Sequence, residues 1–361
     1  MKHLYFYVLL LFTSCTVCNA QNQQRSYYPI EPETKEVVTS HGPLSITRNI
    51  KQDKKGNIWI AAFDGIFRYD PSGLLKIGGK AFTNITSEVS KARFFDVLED
   101  RKGNFWFSSI GSGVFYYNPS KTHKDAFQHF TTKEGLANDR VPHIYEDKSG
   151  NVWFGTEGGA SLWDGKSFRT FKPNAGLTNA DPNDNDINSI VEDKTGKFWI
   201  ATRGNLFTYD GKKFTIFTHN GDPFINVRTI MEDKKGNIWL AGAPGLWRVN
   251  GSTFTNFTLN FTGYVYEDRK SNIWTSSKPE YSYNGGDRWA LSRYDAKTLL
   301  SPKPTATDIM QGYEDYKNML FGILEANDGS IWFGSLGGVY RYDPAAPLRA
   351  GERVITAFKD K

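Results

Sequence analysis

Few residues in this chain combine the type and spacing that chemistry needs. His143 and Glu157 are the one imidazole and carboxylate that could act together, as base and acid or around a cation. A single histidine without further partners, however, defines neither a general base nor a metal site. Asp181, Asn183, Asn185 and Glu192 stand at positions 1, 3, 5 and 12 of a calcium-loop spacing, but Asp186 takes the place where glycine is needed for the turn. Glu192 also belongs to a repeated motif, so coincidence is the reading, and neither a metal nor a cofactor is expected. Both cysteines, Cys15 and Cys18, lie near the N-terminus, which leaves the rest of the chain without a thiol nucleophile or a disulfide.

Clusters such as EDKKGNIWL, residues 232 to 240, look like sites until they are counted. The same words surround Trp59, Trp106, Trp153, Trp199, Trp239, Trp274 and Trp332, at intervals of 47, 47, 46, 40, 35 and 58 residues. A catalytic site is built once, whereas a structural unit is copied. A period of roughly 40 to 50 residues is that of one four-stranded propeller blade.

Each copy reads as strands. A short apolar run (VPHIYED, INSIVED, VRTIMED) leads into a D-x-x-G-N turn, and β-branched and aromatic runs follow (IWIAA, then GIFRYD, then KSFRTF). No stretch beyond the N-terminus has convincing helical periodicity. The expected fold is all-β, a seven-bladed β-propeller of four-stranded antiparallel blades over residues 46–361. Its tryptophans would pack between blades, and its acids and lysines would sit on exposed turns. The first and last blades each supply their own strands, so the ring should close without exchanging one.

The N-terminus, MKHLYFYVLLLFTSCTVCNAQ, has a basic start and an apolar run too short to span a bilayer, which marks residues 1–20 as an export signal. Two ends fit it: lipidation of Cys15 after Phe-Thr-Ser, which is favoured, or cleavage after Ala20. Residues 21–45, polar with three prolines, read as a tether that would connect a lipid anchor to the first blade. The net charge of +5 is interleaved with acids through the turns, so no basic stripe exists and no nucleic-acid partner is expected.

The repeat I-x-E-D-x-x-G-N-I-W-I/F-x-x-x-x-G-L/V-x-x-Y-D resembles the two-component regulator propeller repeat, and the likeness covers nearly all of the chain after the tether. That family furnishes periplasmic sensor halves of hybrid histidine kinases, mostly in Bacteroidota, and exported stand-alone proteins. In the kinases two such propellers precede an immunoglobulin-like module, a membrane helix and the kinase, none of which is read before Lys361. The resemblance therefore implies a ligand-recognition scaffold of the cell envelope, with an oligosaccharide or an envelope protein as partner and contact with the membrane through the lipid anchor only. An enzyme is the alternative. Streptogramin lyases also have seven blades with a similar repeat and use a histidine and an acid around magnesium, which here only His143 and Glu157 could imitate.

A binding site would lie on the face opposite the repeated turns, where loops vary. The fourth residue after each tryptophan changes freely and includes Phe63, Glu157, Arg203 and Lys278. Four residues before each acidic position stand Asn49, Asp96, His143, Ser189, Thr229, Tyr264 and Gly322, flanked by Arg48 and Arg228. These could ring the channel mouth with hydrogen-bonding groups or simply line a wet channel. Blade six carries an insertion, SKPEYSYNGGDRW, whose Tyr281, Tyr283 and Trp289 could offer sugar-stacking faces or fold over themselves. In KEGLANDRVP, Asn138 and Asp139 read as loop-fixing residues.

Overall fold

The computed structural model describes residues 37–72, 81–122, 125–278, 289–301, 304–310, 319–345 and 354–359. Cys15, Tyr281, Tyr283 and the greater part of the tether lie outside them. The described chain forms seven antiparallel blades around a channel, each with four strands in simple up-and-down order, and a separate two-stranded ribbon of Thr218–His219 and Asp222–Pro223. The inner strands are Thr47–Gln52, Phe94–Glu99, His143–Glu146, Ile187–Glu192, Val227–Glu232, Thr262–Glu267 and Leu320–Glu325. Blade one has a fifth strand, Val37–Thr39, paired outside Phe82–Asn84, so these three residues of the expected tether belong to the sheet. Among the described residues helix is limited to short 3-10 turns such as Thr132–Glu134 and Ala296–Thr298, and no helix there is long and apolar enough to cross a membrane.

The second strand of each blade is buried almost throughout, because both of its faces meet a neighbouring sheet. Seven apolar clusters result, one at each junction, and the repeat tryptophan of one blade sits among the residues of the next. Trp59 stacks on Phe105 of blade two at 3.9 Å, Trp239 lies with Val265 and Ile273 of blade six, and Trp332 of blade seven lies with Ile50, Ile58 and Phe67 of blade one. The tryptophans thus pack between blades, as the repeat predicts.

The lysines of the turns are exposed, as the sequence suggests, but the aspartates are not part of a solvated rim. The aspartates Asp53, Asp100, Asp147, Asp193, Asp233 and Asp268 are only 5 to 8% exposed. Asp233 accepts Lys235 N at 3.0 Å and Asn237 N at 2.8 Å on one oxygen, and Asn237 Nδ2 at 2.7 Å and Trp239 Nε1 at 2.9 Å on the other. The same indole bond recurs in five other blades. A buried carboxylate is tolerated only when its lone pairs are satisfied in this way. The turn glycine after it needs positive φ, 88° at Gly236, and blade six meets that need with Ser271 at 62°.

The preceding glutamate crosses to the neighbouring blade. Glu99, Glu146, Glu192, Glu232, Glu267 and Glu325 each accept the N–H of the first turn residue of the blade before, and Gln52 accepts Asn327 N to complete the circle. Lys234 Nζ in turn donates to Asp268 O at 2.7 Å and Arg269 O at 2.9 Å, so this lysine clamps two blades together. The seam between blades seven and one is further closed by Gly42 N donating to Phe358 O at 3.0 Å and by Phe358 stacked on Trp332 at 5.0 Å. Gly322 is required there: a Cβ on it would lie 2.3 Å from Arg48 O.

Trp153→Ala and Trp239→Ala are each expected to destabilise the protein by roughly 3 to 5 kcal/mol, measured by chemical denaturation, because each empties an interblade site. Unchanged unfolding midpoints would remove the assignment. Burial opposes the charge on Asp233, but the hydrogen bonds from Asn237 and Trp239 outweigh it and hold its carboxyl below the ordinary 3.8; Asp193 is lowered in the same manner. A carboxyl lowered on folding contributes stability that is present above its unfolded value and lost as pH falls through the folded one. The melting temperature should therefore fall as pH drops below about 4, and the fall should be shallower in Asp233→Asn.

Candidate functional site

The inner strands of six blades carry an irregularity near their start, between Thr47 and Ile50, Phe94 and Asp96, Ile187 and Ser189, Val227 and Thr229, Thr262 and Tyr264, and Phe321 and Leu324. An extra residue in one strand breaks the alternation and re-aims a side chain. Adjacent residues consequently line one space: Arg48 with Asn49, Phe95 with Asp96, Asn188 with Ser189, Arg228 with Thr229. The space is a channel cavity of about 670 Å³ that runs from Glu157 and Arg203, at the end opposite the repeated turns, down to Glu146 and Glu232 beside those turns, and its volume is within the usual range for small-ligand sites.

Its mouth is a charge network. Glu157 pairs with Arg140 and lies 3.8 Å from Arg203, whose Nε meets Asp186 at 2.9 Å. Burial pushes the Asp186 carboxyl above its ordinary value, although Arg203 works against the shift. Arg48 lies between two rings, its guanidinium carbon 3.9 Å from the Phe95 centroid and 3.8 Å from that of Phe321. Burial first, and Arg228 second, push Arg48 down to about 9. Arg228 reaches Asn188 Oδ1 with one terminal nitrogen at 3.5 Å, while its buried Nε has no hydrogen-bond partner among the described residues. Burial and then Arg203 lower its pKa.

Deeper in the channel the polar groups brace the blades. Asp96 is buried, accepts Val97 N and Ile144 N at 2.9 Å, and faces His143 Nδ1 at 3.4 Å. Burial opposes its charge, yet His143, Lys51 and the Ile144 amide hold it below the usual carboxylate value. The other His143 nitrogen contacts Ile190 O at 3.2 Å, so this ring ties blade three to blades two and four. Lys51 stands in the lumen with its pKa raised, chiefly by Tyr264. Tyr264 is itself raised by burial.

Of the residues singled out in the sequence, Arg48, Asp96, His143, Glu157, Arg203, Arg228 and Tyr264 line this one cavity. Phe63 and Lys278 do not: Phe63 lies under Arg93, 5.6 Å from its ring centroid, and Lys278 is held through its backbone by Phe261 and Asn260. Trp289 is corrected from a stacking platform to core. It is 9% exposed at the start of the third strand of blade six, packed with Trp274, Leu291 and Leu320, and edge-on to Phe261 at 5.8 Å. The strand draws it into the gap toward blade seven, where no face is left for a ligand.

The calcium-like spacing is used otherwise. Asp181 accepts from Asn183, Asn185 donates to Asn174, and Glu192 accepts Lys148 N. Asn138 and Asp139 fix their loop by accepting Arg140 N and Thr132 N. His143 and Glu157 are held by separate partners, and no three His, Cys, Asp or Glu side chains gather as metal ligands among the described residues. The donor set therefore does not fit a magnesium ion shared by this pair. Reading the sequence missed Arg140, Asp186, Asn188, Phe95 and Phe321. All five lie on an inner strand or the loop leading into one, and a bulge offset of one residue hides Phe95 and Asn188 from a column read at fixed distance from the turn.

The family model described as two component regulator propeller matches residues 135–158, 181–204 and 221–243, three copies of the repeat. Among solved structures, the chain is similar to the extracellular domain of a hybrid two component system from B. thetaiotaomicron, with 21% identity, a TM-score of 0.63 and 87% of this chain covered. It spans 44% of that domain's length. A streptogramin B lyase is 14% identical with a TM-score of 0.60, the match covering 84% of this chain and 95% of the lyase. A catalytically inactive virginiamycin B lyase from Staphylococcus aureus, solved with quinupristin, is 15% identical over 84% of this chain and 96% of its own, with a TM-score of 0.59. At these identities the likeness is one of fold. No curated protein matches the chain in sequence.

Because Trp289 is buried in a junction, Trp289→Ala is expected to cost roughly 3 to 5 kcal/mol of stability in urea unfolding. A variant as stable as the parent would return this ring to the list of surface contacts.

Proposed function

We propose that this chain, whose blades carry two-component regulator propeller repeats, is a ligand-recognition module outside the cytoplasm that binds a saccharide at the arginine-rich mouth of its channel. The observation that carries the reading is the mouth cavity itself. Its walls are the repeated inner strands, and its rim adds loop and bulge residues that converge guanidiniums, carboxylates and an amide on one space. Sugar hydroxyls both donate and accept, and a mixed set of this kind answers both needs, whereas an apolar ligand would take water from these charged groups and give no hydrogen bond in return.

An export signal at residues 1–20, with Cys15 as the lipid-bearing residue, supports a place in the cell envelope, and so does the likeness to an extracellular sensor domain. An envelope protein docking over the same mouth is the other partner class the sequence allows. Elimination of the lyase kind would need an imidazole and carboxylates free around one cation; here His143 is held by Asp96 and Glu157 by two arginines.

Thermal-shift screening against envelope and dietary oligosaccharides should find a compound that raises the melting temperature, since a ligand that binds only the folded state stabilises it. Arg203→Ala and Glu157→Gln should then weaken that compound by about 10- to 100-fold in calorimetric titration, the worth of a hydrogen bond to a charged group. Their own melting temperatures should stay close to the parent's, because these ion pairs are partly exposed. Undiminished affinity in both variants would move the site away from the mouth.

A further inference from the structure

The mouth carries more positive charge than it neutralises. Four guanidiniums, those of Arg48, Arg140, Arg203 and Arg228, face the two carboxylates of Glu157 and Asp186, and both carboxylates are engaged by Arg140 and Arg203. That leaves Arg48 and Arg228. Arg48 has two phenyl faces for company and neither a hydrogen bond nor a carboxylate among the described residues. Arg228 has one long bond to a neutral amide and a buried Nε with nothing to donate to. The two cations lie close enough to oppose each other's charge, as the depression of Arg48 by Arg228 records. Deeper in the lumen, Asp96 is taken by His143 and by two backbone amides, and Lys51 adds a further positive charge.

Arg48 and Arg228 come from blades one and five, both are partly desolvated, and the carboxylate whose charge reaches Arg228, that of Asp186, is already paired with Arg203. Two such arginines are costly, and a fold has no use for them as packing, which Met or Leu would supply between the same rings. A guanidinium stacked between aromatic faces is held in orientation with its N–H edge free, the arrangement suited to bidentate pairing with an oxyanion. Asn188, anchored by its own donation to Val227 O at 2.9 Å, keeps one Arg228 nitrogen in place beside it. We propose that Arg48 and Arg228 form the oxyanion subsite of the mouth, and that the ligand is an acidic saccharide whose carboxylate or sulfate group sits between them.

This inference rests on saccharide recognition at the mouth, so the test separates the two. The probes are a glucuronate-containing disaccharide, the same disaccharide with its carboxyl reduced to the alcohol, and sodium sulfate against sodium chloride at equal ionic strength. The parent protein should bind the acidic disaccharide at least about tenfold more tightly than the reduced one, and sulfate should protect it from thermal unfolding where chloride does not. The sulfate arm tells a bare oxyanion from one that must arrive on a sugar; either result supports the subsite when the acidic preference is present. Arg48→Met and Arg228→Met should each remove most of that preference while leaving binding of the reduced disaccharide in place, and should raise or preserve the melting temperature of the unliganded protein. Arg203→Ala should weaken both disaccharides. A parent that binds the two disaccharides alike, or methionine variants that keep the preference, would overturn the oxyanion subsite alone. Lower melting temperatures in both methionine variants would also overturn it, by making the arginines structural braces. A parent that binds neither disaccharide nor sulfate would overturn it together with the recognition reading.

Discussion

One bond holds the ring in order: the indole N–H of the repeat tryptophan donating to the buried aspartate six residues before it. The aspartate alone would be an expensive charge in an apolar junction, and the tryptophan alone would bury an unpaired donor. Together they remove both costs. The same carboxylate collects the N–H groups of the turn, so one side chain sets the hairpin, aims the ring into the next blade and fixes how far the two sheets stand apart. Blade seven shows which part is indispensable. Ala326 replaces the aspartate, yet Trp332 keeps its place among the blade-one residues, with Ser330 Oγ accepting its N–H at 3.1 Å and Asp328 taking over the turn. The acceptor can be exchanged, whereas the ring that plugs the junction is retained.

Around this bond the turn end of the propeller is saturated. Glutamates accept from the blade before, and lysines and arginines donate to carbonyls of the blade after. Every step is nearly identical, and radial repetition of this kind leaves only the short outer edge of each blade unpaired. The circle closes at blades seven and one through Gln52 and through a close approach that Gly322 alone permits. That approach concerns the other end as well. It brings the backbone of Arg48 against blade seven and so sets the arginine beside the Phe321 ring.

The sequence made the first end legible and the second end only in part. Sevenfold repetition reveals strands, turns, blade number and the packing of Trp239, because periodic burial imposes a periodic pattern. It does not reveal that Asp233 and Lys234 are structural, since a buried acid with all its bonds made and a solvated one are spelled alike. The column Asn49, Asp96, His143, Ser189 was found because it shares the repeat's spacing. Phe95 and Asn188 were not, because the bulge that exposes them shifts the side-chain alternation by one residue without a fixed spelling. Trp289 misled in the opposite direction. An aromatic outside the repeat suggests a site, but its strand carries it into the junction that Trp274 also fills.

The two ends differ in how their charges are balanced, and this gives the propeller its polarity. At the turn end the buried aspartates are satisfied within their own hairpins and the preceding glutamates accept from the blade before, so the buried and half-buried carboxylates there are matched. At the loop end Asp186 and Glu157 are matched by Arg203 and Arg140, while Arg48 and Arg228 stand with aromatic faces and a distant amide. A scaffold that satisfies its polar groups six or seven times over at one end can hold a local deficit at the other, because the junction clusters that stabilise it lie between the blades and not at the mouth. The deficit is also rigidly placed. Arg48 is fixed by two rings, Asn188 by a main-chain carbonyl and Arg203 by two carboxylates, so an incoming group meets donors whose ordering cost was met in folding, which is the condition for selective recognition by few contacts.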